Sequence, residues 1–162
     1  MFEMNVATHA DKAALYADLA TQAEHLLAGE PDRIANAANF CALLYHSLPD
    51  VNWLGFYFFD GRELVVGPFQ GKPACVRIAL ERGVCGAAAR TRSTMRIADV
   101  HEFPGHIACD SVSRSELVVP LIMRDGSLLG VLDIDSPLPG RFDEQDQLGA
   151  ERLAAVFLNA CR

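Results

Sequence analysis

Two apolar runs separated by Asp125-Gly126 constrain this chain more than any other feature of its sequence. The first is Glu116-Leu117-Val118-Val119-Pro120-Leu121-Ile122-Met123; the second is Leu128-Leu129-Gly130-Val131-Leu132-Asp133-Ile134-Asp135. Asp-Gly between such runs is the strongest short-range hairpin signal, because the turn needs positive φ and glycine takes it without steric cost. A two-residue turn at Asp125-Gly126 pairs Arg124 with Ser127. It then sets Asp133 opposite Val118 and Glu116 opposite Asp135. Side chains alternate along a strand, so Glu116, Asp133 and Asp135 share one face, with near neighbours roughly 5–7 Å apart. A bulge at Pro120 would shift this register.

Three carboxylates this close repel one another unless something compensates. A sheet gains no stability from them. They fit a cation-binding site, or a site where one carboxyl stays protonated as an acid. The plain alternative is a solvated sheet end.

A second hairpin is predicted upstream. The aromatic run from 51 to 59 ends at Asp60-Gly61 and resumes at Glu63-Leu64-Val65-Val66, before a loop from Gly67 to Pro73. In extended form Leu54, Phe56 and Phe58 share one face; Trp53, Gly55, Tyr57 and Phe59 share the other. Both faces are apolar, which predicts a central strand covered on both sides. Trp53 and Tyr57 carry polar tips, so their face suits a ligand pocket as well as a solid core.

Helical periods occupy the two ends. From 11 to about 28, Leu15, Leu19, Ala23 and Leu26 follow a 3–4 spacing, and Gly29 ends the run. Pro31 opens a second helix with Asp32 in its first turn. Its stripe is Ile34, Ala37, Ala38, Cys41, Leu44, Tyr45 and Leu48, which makes Cys41 a packed core thiol. Phe142-Asp143-Glu144 opens the last helix, with Leu148, Leu153, Val156, Phe157 and Ala160 on its buried side. Between them, Cys75 to Leu80 and Thr94 to Val100 read as short strands. Gly83-Val84-Cys85-Gly86 reads as a helix N-terminus, able to receive an anion or to lower the pKa of Cys85; the plain reading, favoured for this segment alone, is a small-residue helix packed close to the sheet. The order gives an α+β fold: a central antiparallel sheet, N- and C-terminal helices on one face, and a ligand pocket under loops on the other. At 162 residues this is one domain, 1–162.

Composition excludes several function classes. Net charge is −7 and no basic run occurs, so nucleic acid and anionic membranes are poor partners. No apolar run approaches the ~18 residues of a membrane span. Met1-Phe2-Glu3-Met4-Asn5 lacks the basic and apolar regions of a signal peptide. A cytoplasmic location follows, in which the five cysteines rest as thiols and any disulfide is transient. One cysteine stands apart. The stretch from Phe103 to Glu116 is rich in Pro, Gly, Ser and charge, and no apolar period runs through it. Cys109 lies mid-loop, three residues after His106 and directly before Asp110. A loop thiol among polar neighbours is a candidate nucleophile or redox group.

Several of these stretches together resemble one family. Gly83-Val84-Cys85-Gly86, Asp99-Val100, Phe103-Pro104-Gly105-His106-Ile107-Ala108-Cys109-Asp110, Ser115-Glu116-Leu117-Val118-Val119-Pro120 and Gly130-Val131-Leu132-Asp133-Ile134-Asp135-Ser136-Pro137 closely resemble the free methionine-(R)-sulfoxide reductases, small GAF-domain enzymes. The likeness runs from about Val51 to Phe142; the N-terminal helices match only in kind. It implies a GAF-like fold and reduction of free methionine-R-sulfoxide. It also implies Cys109 as the attacking thiolate, Cys75 or Cys85 as the resolving thiol, and thioredoxin as reductant. Glu116, Asp133 and Asp135 would hold the substrate ammonium and supply a proton, while Trp53 and Tyr57 enclose the methyl group. His106 would be a loop hydrogen-bonder rather than a base. No cofactor and no metal are implied, and a homodimer is compatible with the fold.

Two rivals remain. A non-catalytic GAF small-ligand or redox sensor accounts for the pocket but not for three thiols around one loop. A zinc site from Cys75, Cys85, Cys109 and His106 lacks any short C-x-x-C spacing.

Overall fold

A computed structural model describes residues 1–4, 11–106 and 110–161. Among the described residues six strands form one antiparallel sheet: β1 (Trp53–Phe59), β2 (Leu64–Gly71), β3 (Arg77–Ile78), β4 (Met95–Ile97), β5 (Ser115–Ile122) and β6 (Leu128–Ser136), in the order β3-β2-β1-β6-β5-β4. Among the described residues four α-helices accompany it: α1 (Lys12–Leu27), α2 (Arg33–Ser47), α3 (Gly83–Thr91) and α4 (Glu144–Ala160). This is the α+β arrangement expected. Among the described residues no helix is long and apolar enough to cross a membrane.

β1 alternates as its pattern requires. Leu54 and Phe56 point to the face covered by α1, α2 and α4, and Trp53 and Tyr57 point to the other. On the helical face Phe56 lies 4.4 Å from Phe157 and 5.7 Å from Phe40, ring centre to ring centre. Cys41 is in this layer, fully buried, with its thiol donating to the Pro68 carbonyl at 3.3 Å. Burial pushes that thiol's pKa far up, which keeps it inert.

Aspartates cap the N-termini of α1, α2 and α4. Asp11, Asp32 and Asp143 each accept a backbone N–H from the first turn of the helix that follows. Asp32 is therefore a cap, and α2 begins at Arg33 rather than at Pro31. The buried stripes are shifted from those expected. Tyr16, Leu19, Ala20, Ala23 and Leu27 form that of α1. Ile34 is 52% and Leu148 60% exposed, and their places are taken by Phe40 and by Gly149 with Ala150. Period alone locates a stripe to within one residue either side; the packing partner decides which edge is covered.

β2 also differs from expectation. It continues through Gly67, Pro68 and Gly71, and Trp53 pairs with Gly71. Glycine and proline are tolerated because Gly67 and Pro68 fall where the β1–β2 register shifts, between the Gly55–Phe69 and Tyr57–Val66 pairs, and because β3 pairs only with Leu64 and Val65.

The β5–β6 hairpin reaches the expected site register by an unexpected route. The closing pair is Met123 and Ser127, around a three-residue loop, with Gly126 at φ +82° donating to the Met123 carbonyl at 2.9 Å. That turn offsets the strands by one residue. A bulge between Leu121 and Ile122 then offsets them back: Ile122 faces Leu128, but Leu121 faces Gly130. Beyond it Glu116 faces Asp135 and Val118 faces Asp133, while Pro120 stays in register opposite Val131.

Gly149 on α4 fits directly beneath the Tyr16 ring, where a Cβ would come within 2.1 Å of Tyr16 Cγ. Gly149→Ala gains up to about 1 kcal/mol of helix propensity but overpacks this contact, at about 1–3 kcal/mol. A net loss of stability is expected in urea unfolding; a rise in midpoint would show that α1 and α4 can separate freely here.

Candidate functional site

On the sheet face away from the terminal helices, two rows of side chains cross β1, β6 and β5. Trp53 pairs with Asp135, which pairs with Glu116; Gly55 pairs with Asp133, which pairs with Val118. Gly55 leaves its place in the row to the Trp53 ring, whose Cη2 is 2.8 Å from where a Cβ would stand. Trp53 stacks on Tyr57 at 5.8 Å and on Phe69 at 5.1 Å, making one apolar wall. The polar tips of that wall hold a loop. Trp53 Nε1 donates to the Lys72 carbonyl and Tyr57 Oη to the Cys75 carbonyl, each at 3.1 Å.

Helix α3 closes the other side, with Val84 and Cys85 buried against β5 and β6. Between them lies a cavity that opens to solvent, about 550 Å³ with the space at its mouth included. Trp53, Tyr57, Cys85, Glu116, Asp133 and Asp135 all line it, and so does His106. The structure thus brings together six of the eight site residues predicted from sequence. Cys75 is disulfide-bonded, whereas Cys41, Cys85 and Cys161 are free. The loop position of Cys75 leaves it open to oxidation in a way that the core position of Cys41 does not. Cys109 lies outside the described residues.

The carboxylates are more deeply placed than a solvated sheet end allows. Glu116 is 6% and Asp133 5% exposed, and Asp135 is half-buried. Among the described residues no cation pairs with any of them. Asp133 Oδ1 is buried with no hydrogen-bond partner. Burial, then the charges of Asp133 and Asp135, pushes the Glu116 pKa well above the usual carboxylate range. Burial and the Asp133 charge do the same to Asp135, and burial raises Asp133 to about 6. Cys85 donates to Glu116 Oε1 at 3.9 Å. Its thiol pKa is pushed well up by burial and by the three carboxylates. The α3 N-terminus therefore does not lower it, contrary to one sequence expectation: a partial helix charge is outweighed by desolvation and three acidic neighbours. His106 is pushed below the ordinary imidazole value by burial and by His101.

Four neighbours were not predicted from sequence as site residues. Asp110, Ser113 and Lys72 line the cavity, and Asn52 Nδ2 donates to Asp110 at 3.3 Å and to Ser113 at 3.0 Å. Lys72 Nζ lies 3.7 Å from Asp110. The sequence signal was present for Asp110 and Ser113, which sit in the polar loop around Cys109; Asn52 and Lys72 carry no local mark of it.

Residues 7–160 match the GAF domain family. The chain is 51% identical over 145 residues to the free methionine-R-sulfoxide reductase of Escherichia coli (strain K12), covering 90% of this chain and 87% of that protein. The chain belongs to the free methionine-R-sulfoxide reductases of the GAF family. Another relative in this family, from Saccharomyces cerevisiae, is 39% identical over 98% of this chain and 92% of its own length. The X-ray structure of free methionine-R-sulfoxide reductase from Neisseria meningitidis in complex with its substrate is 44% identical, with a TM-score of 0.94 over 99% of this chain and 96% of that one.

In this family member the acidic cluster opposes folding. An acid whose folded pKa is raised contributes stability that is fully present below its unfolded value, near 3.9, and lost as pH rises through its folded value. For Asp133 that window runs from about pH 4 to about 6. Asp133→Asn is expected to flatten the fall in stability across this window and to raise stability at pH 7 by about 1–3 kcal/mol. Urea titrations at several pH values check it; parallel curves for the variant and the parent would show that Asp133 is solvated.

Proposed function

We propose that this chain is a cytoplasmic single-domain enzyme that reduces free L-methionine-(R)-sulfoxide to methionine. The observation that carries this reading is the unpaired, buried carboxylate cluster beside an aromatic wall. Three acids with no paired cation among the described residues suit a ligand that supplies one, and a free amino acid brings an ammonium. The apolar wall suits the methyl and thioether end. Trp53 and Tyr57 face the sulfur as it gains positive character.

In the first step the Cys109 thiolate attacks the substrate sulfur. Glu116, the cluster member whose proton is held by burial and by both aspartates, protonates the sulfoxide oxygen. Oxygen passes to Cys109 as a sulfenic acid and methionine leaves. A second thiol then attacks the sulfenic sulfur, water departs, and a disulfide forms. Cys75 is the resolving thiol in this reading, paired with Cys109. Support comes from the redox states: Cys75 is disulfide-bonded, whereas Cys41, Cys85 and Cys161 are free. Cys85 is also held protonated among carboxylates, which makes it a poor nucleophile. A dithiol protein such as thioredoxin returns the two electrons.

Asp133 and Asp135 hold the ammonium. Pairing with a cation lowers their pKa values, so substrate binding strengthens as pH rises through about 6. Asp133→Asn and Asp135→Asn should chiefly raise KM; Glu116→Gln should chiefly lower kcat and remove the high-pH limb of the rate profile. Cys109→Ser should abolish turnover while Cys41→Ser keeps it.

The deciding experiment is a turnover assay with both epimers, each free, N-acetylated and peptide-bound. Turnover of the free R epimer alone is expected. N-acetylation removes the cation from a buried pair, at about 3–5 kcal/mol, so kcat/KM should fall by at least about 100-fold. Comparable values for the free and N-acetylated forms would remove the carboxylate cluster from the binding role.

A further inference from the structure

An ammonium group uses the oxygens of the cluster and leaves its sulfur unused. Cys85 Sγ, a Glu116 carboxylate oxygen and an Asp133 carboxylate oxygen all lie within 4.8 Å of one another. The three residues come from α3, β5 and β6, so their spacing is fixed by the packing of that helix on the sheet. Cys85 Sγ and Glu116 Oε1 are 3.9 Å apart. Asp133 Oδ1, on a side chain more than nine-tenths buried, has no partner.

We propose that Cys85, Glu116 and Asp133 form a site for a zinc-class divalent cation, with the fourth coordination position open to the cavity. One sulfur with two oxygens suits borderline-soft Zn²⁺ and suits Mg²⁺ or Ca²⁺ poorly, since both of these require all-oxygen shells. Zinc bonds of about 2.3 Å to sulfur and about 2.0–2.2 Å to oxygen set donors roughly 3.5 Å apart in a tetrahedron. The Cys85–Glu116 separation of 3.9 Å needs a contraction of a few tenths of an ångström, and the remaining pairs, within 4.8 Å, need one of at most about 1.3 Å. On binding, the Cys85 S–H bond breaks, its proton leaves to solvent and a Zn–S bond forms; no electron is transferred. The cation occupies the Asp133 carboxylate that the substrate ammonium needs, so the two exclude each other. This exclusion rests on the proposed reductase reading; the metal site itself does not. The donor set is distinct from Cys75, Cys85, Cys109 and His106, because it takes one thiol and two carboxylates from a single buried cluster.

The test uses the full chain, reduced, stripped with EDTA and titrated anaerobically with Co²⁺ as a spectroscopic probe. The parent should show a sulfur-to-cobalt charge-transfer band that Zn²⁺ displaces. Cys85→Ser should lose the band, Cys41→Ser should keep it, and Asp133→Asn should weaken Co²⁺ binding at least about tenfold. No band in the parent, or a band that survives in Cys85→Ser, overturns the site. If Cys85→Ser fails to fold by circular dichroism, the Asp133→Asn affinity decides: an unchanged value overturns it. In a second arm, L-methionine should weaken Co²⁺ binding, whereas 3-(methylthio)propanoate, which lacks the ammonium, should not. L-methionine that binds by calorimetry without weakening Co²⁺ overturns the exclusion and leaves the metal site standing. Failure of the reductase reading is seen separately, as absent turnover by the metal-free chain.

Discussion

Pairing of β6 between β1 and β5 is the constraint on which the site depends. Asp135 faces Trp53 on one side and Glu116 on the other, and Asp133 faces Gly55 and Val118. One central strand therefore delivers two acids into a pocket whose aromatic wall comes from one neighbour and whose third acid comes from the other. A slip of a single residue on either side would turn the acids into the helical core, where Leu132 and Ile134 now sit, and bury them with nothing to compensate. The register is thus pinned by the energetics of the opposite face. Leu54, Phe56, Leu117, Val119, Leu132 and Ile134 all reach the α1, α2 and α4 layer only in the observed pairing.

The two faces divide the work. The helical face contributes stability through aromatic contacts such as Phe56 on Phe157, and through Asp146, which joins Tyr16, Lys12 and Arg141 across α1 and α4. That stability offsets a pocket face which opposes folding, with two deeply buried acids, one half-buried acid and a buried thiol whose charged forms are all disfavoured. Strain of this kind is characteristic of functional sites, where groups are kept ready for a ligand instead of satisfied by the protein. The polar tips of Trp53 and Tyr57 are used differently. They bind the backbone of the loop carrying Lys72 and Cys75, so the wall that faces the ligand also anchors the chain bearing the disulfide-bonded cysteine.

Local signals in the sequence specified much of this. Alternation in β1 sorted Leu54 and Phe56 from Trp53 and Tyr57, and the β5–β6 pattern placed Glu116, Asp133 and Asp135 on one face. The cluster's alignment was legible because its face is set by a period of two, which survives a wrong turn when a bulge restores the offset. The turn itself was not legible: Asp-Gly is compatible with two- and three-residue loops, and only the sheet's twist and the bulge at Leu121–Ile122 select between them. Likewise β2 read as broken at Gly67-Pro68, because a sequence does not reveal the register shift against β1 that accommodates them.

By itself, then, the sequence determined the order of the elements, the face on which each strand residue lies and the chemistry gathered near the two hairpins. The tertiary structure decided depth. Burial of Glu116 and Asp133 under α3, the raised Cys85 thiol, the absence of a paired cation among the described residues, and the bonds from Asn52 to Asp110 and Ser113 all arise between segments far apart in the chain. The physical reason is that alternation and turn chemistry act over a few residues, whereas desolvation depends on what packs above a side chain.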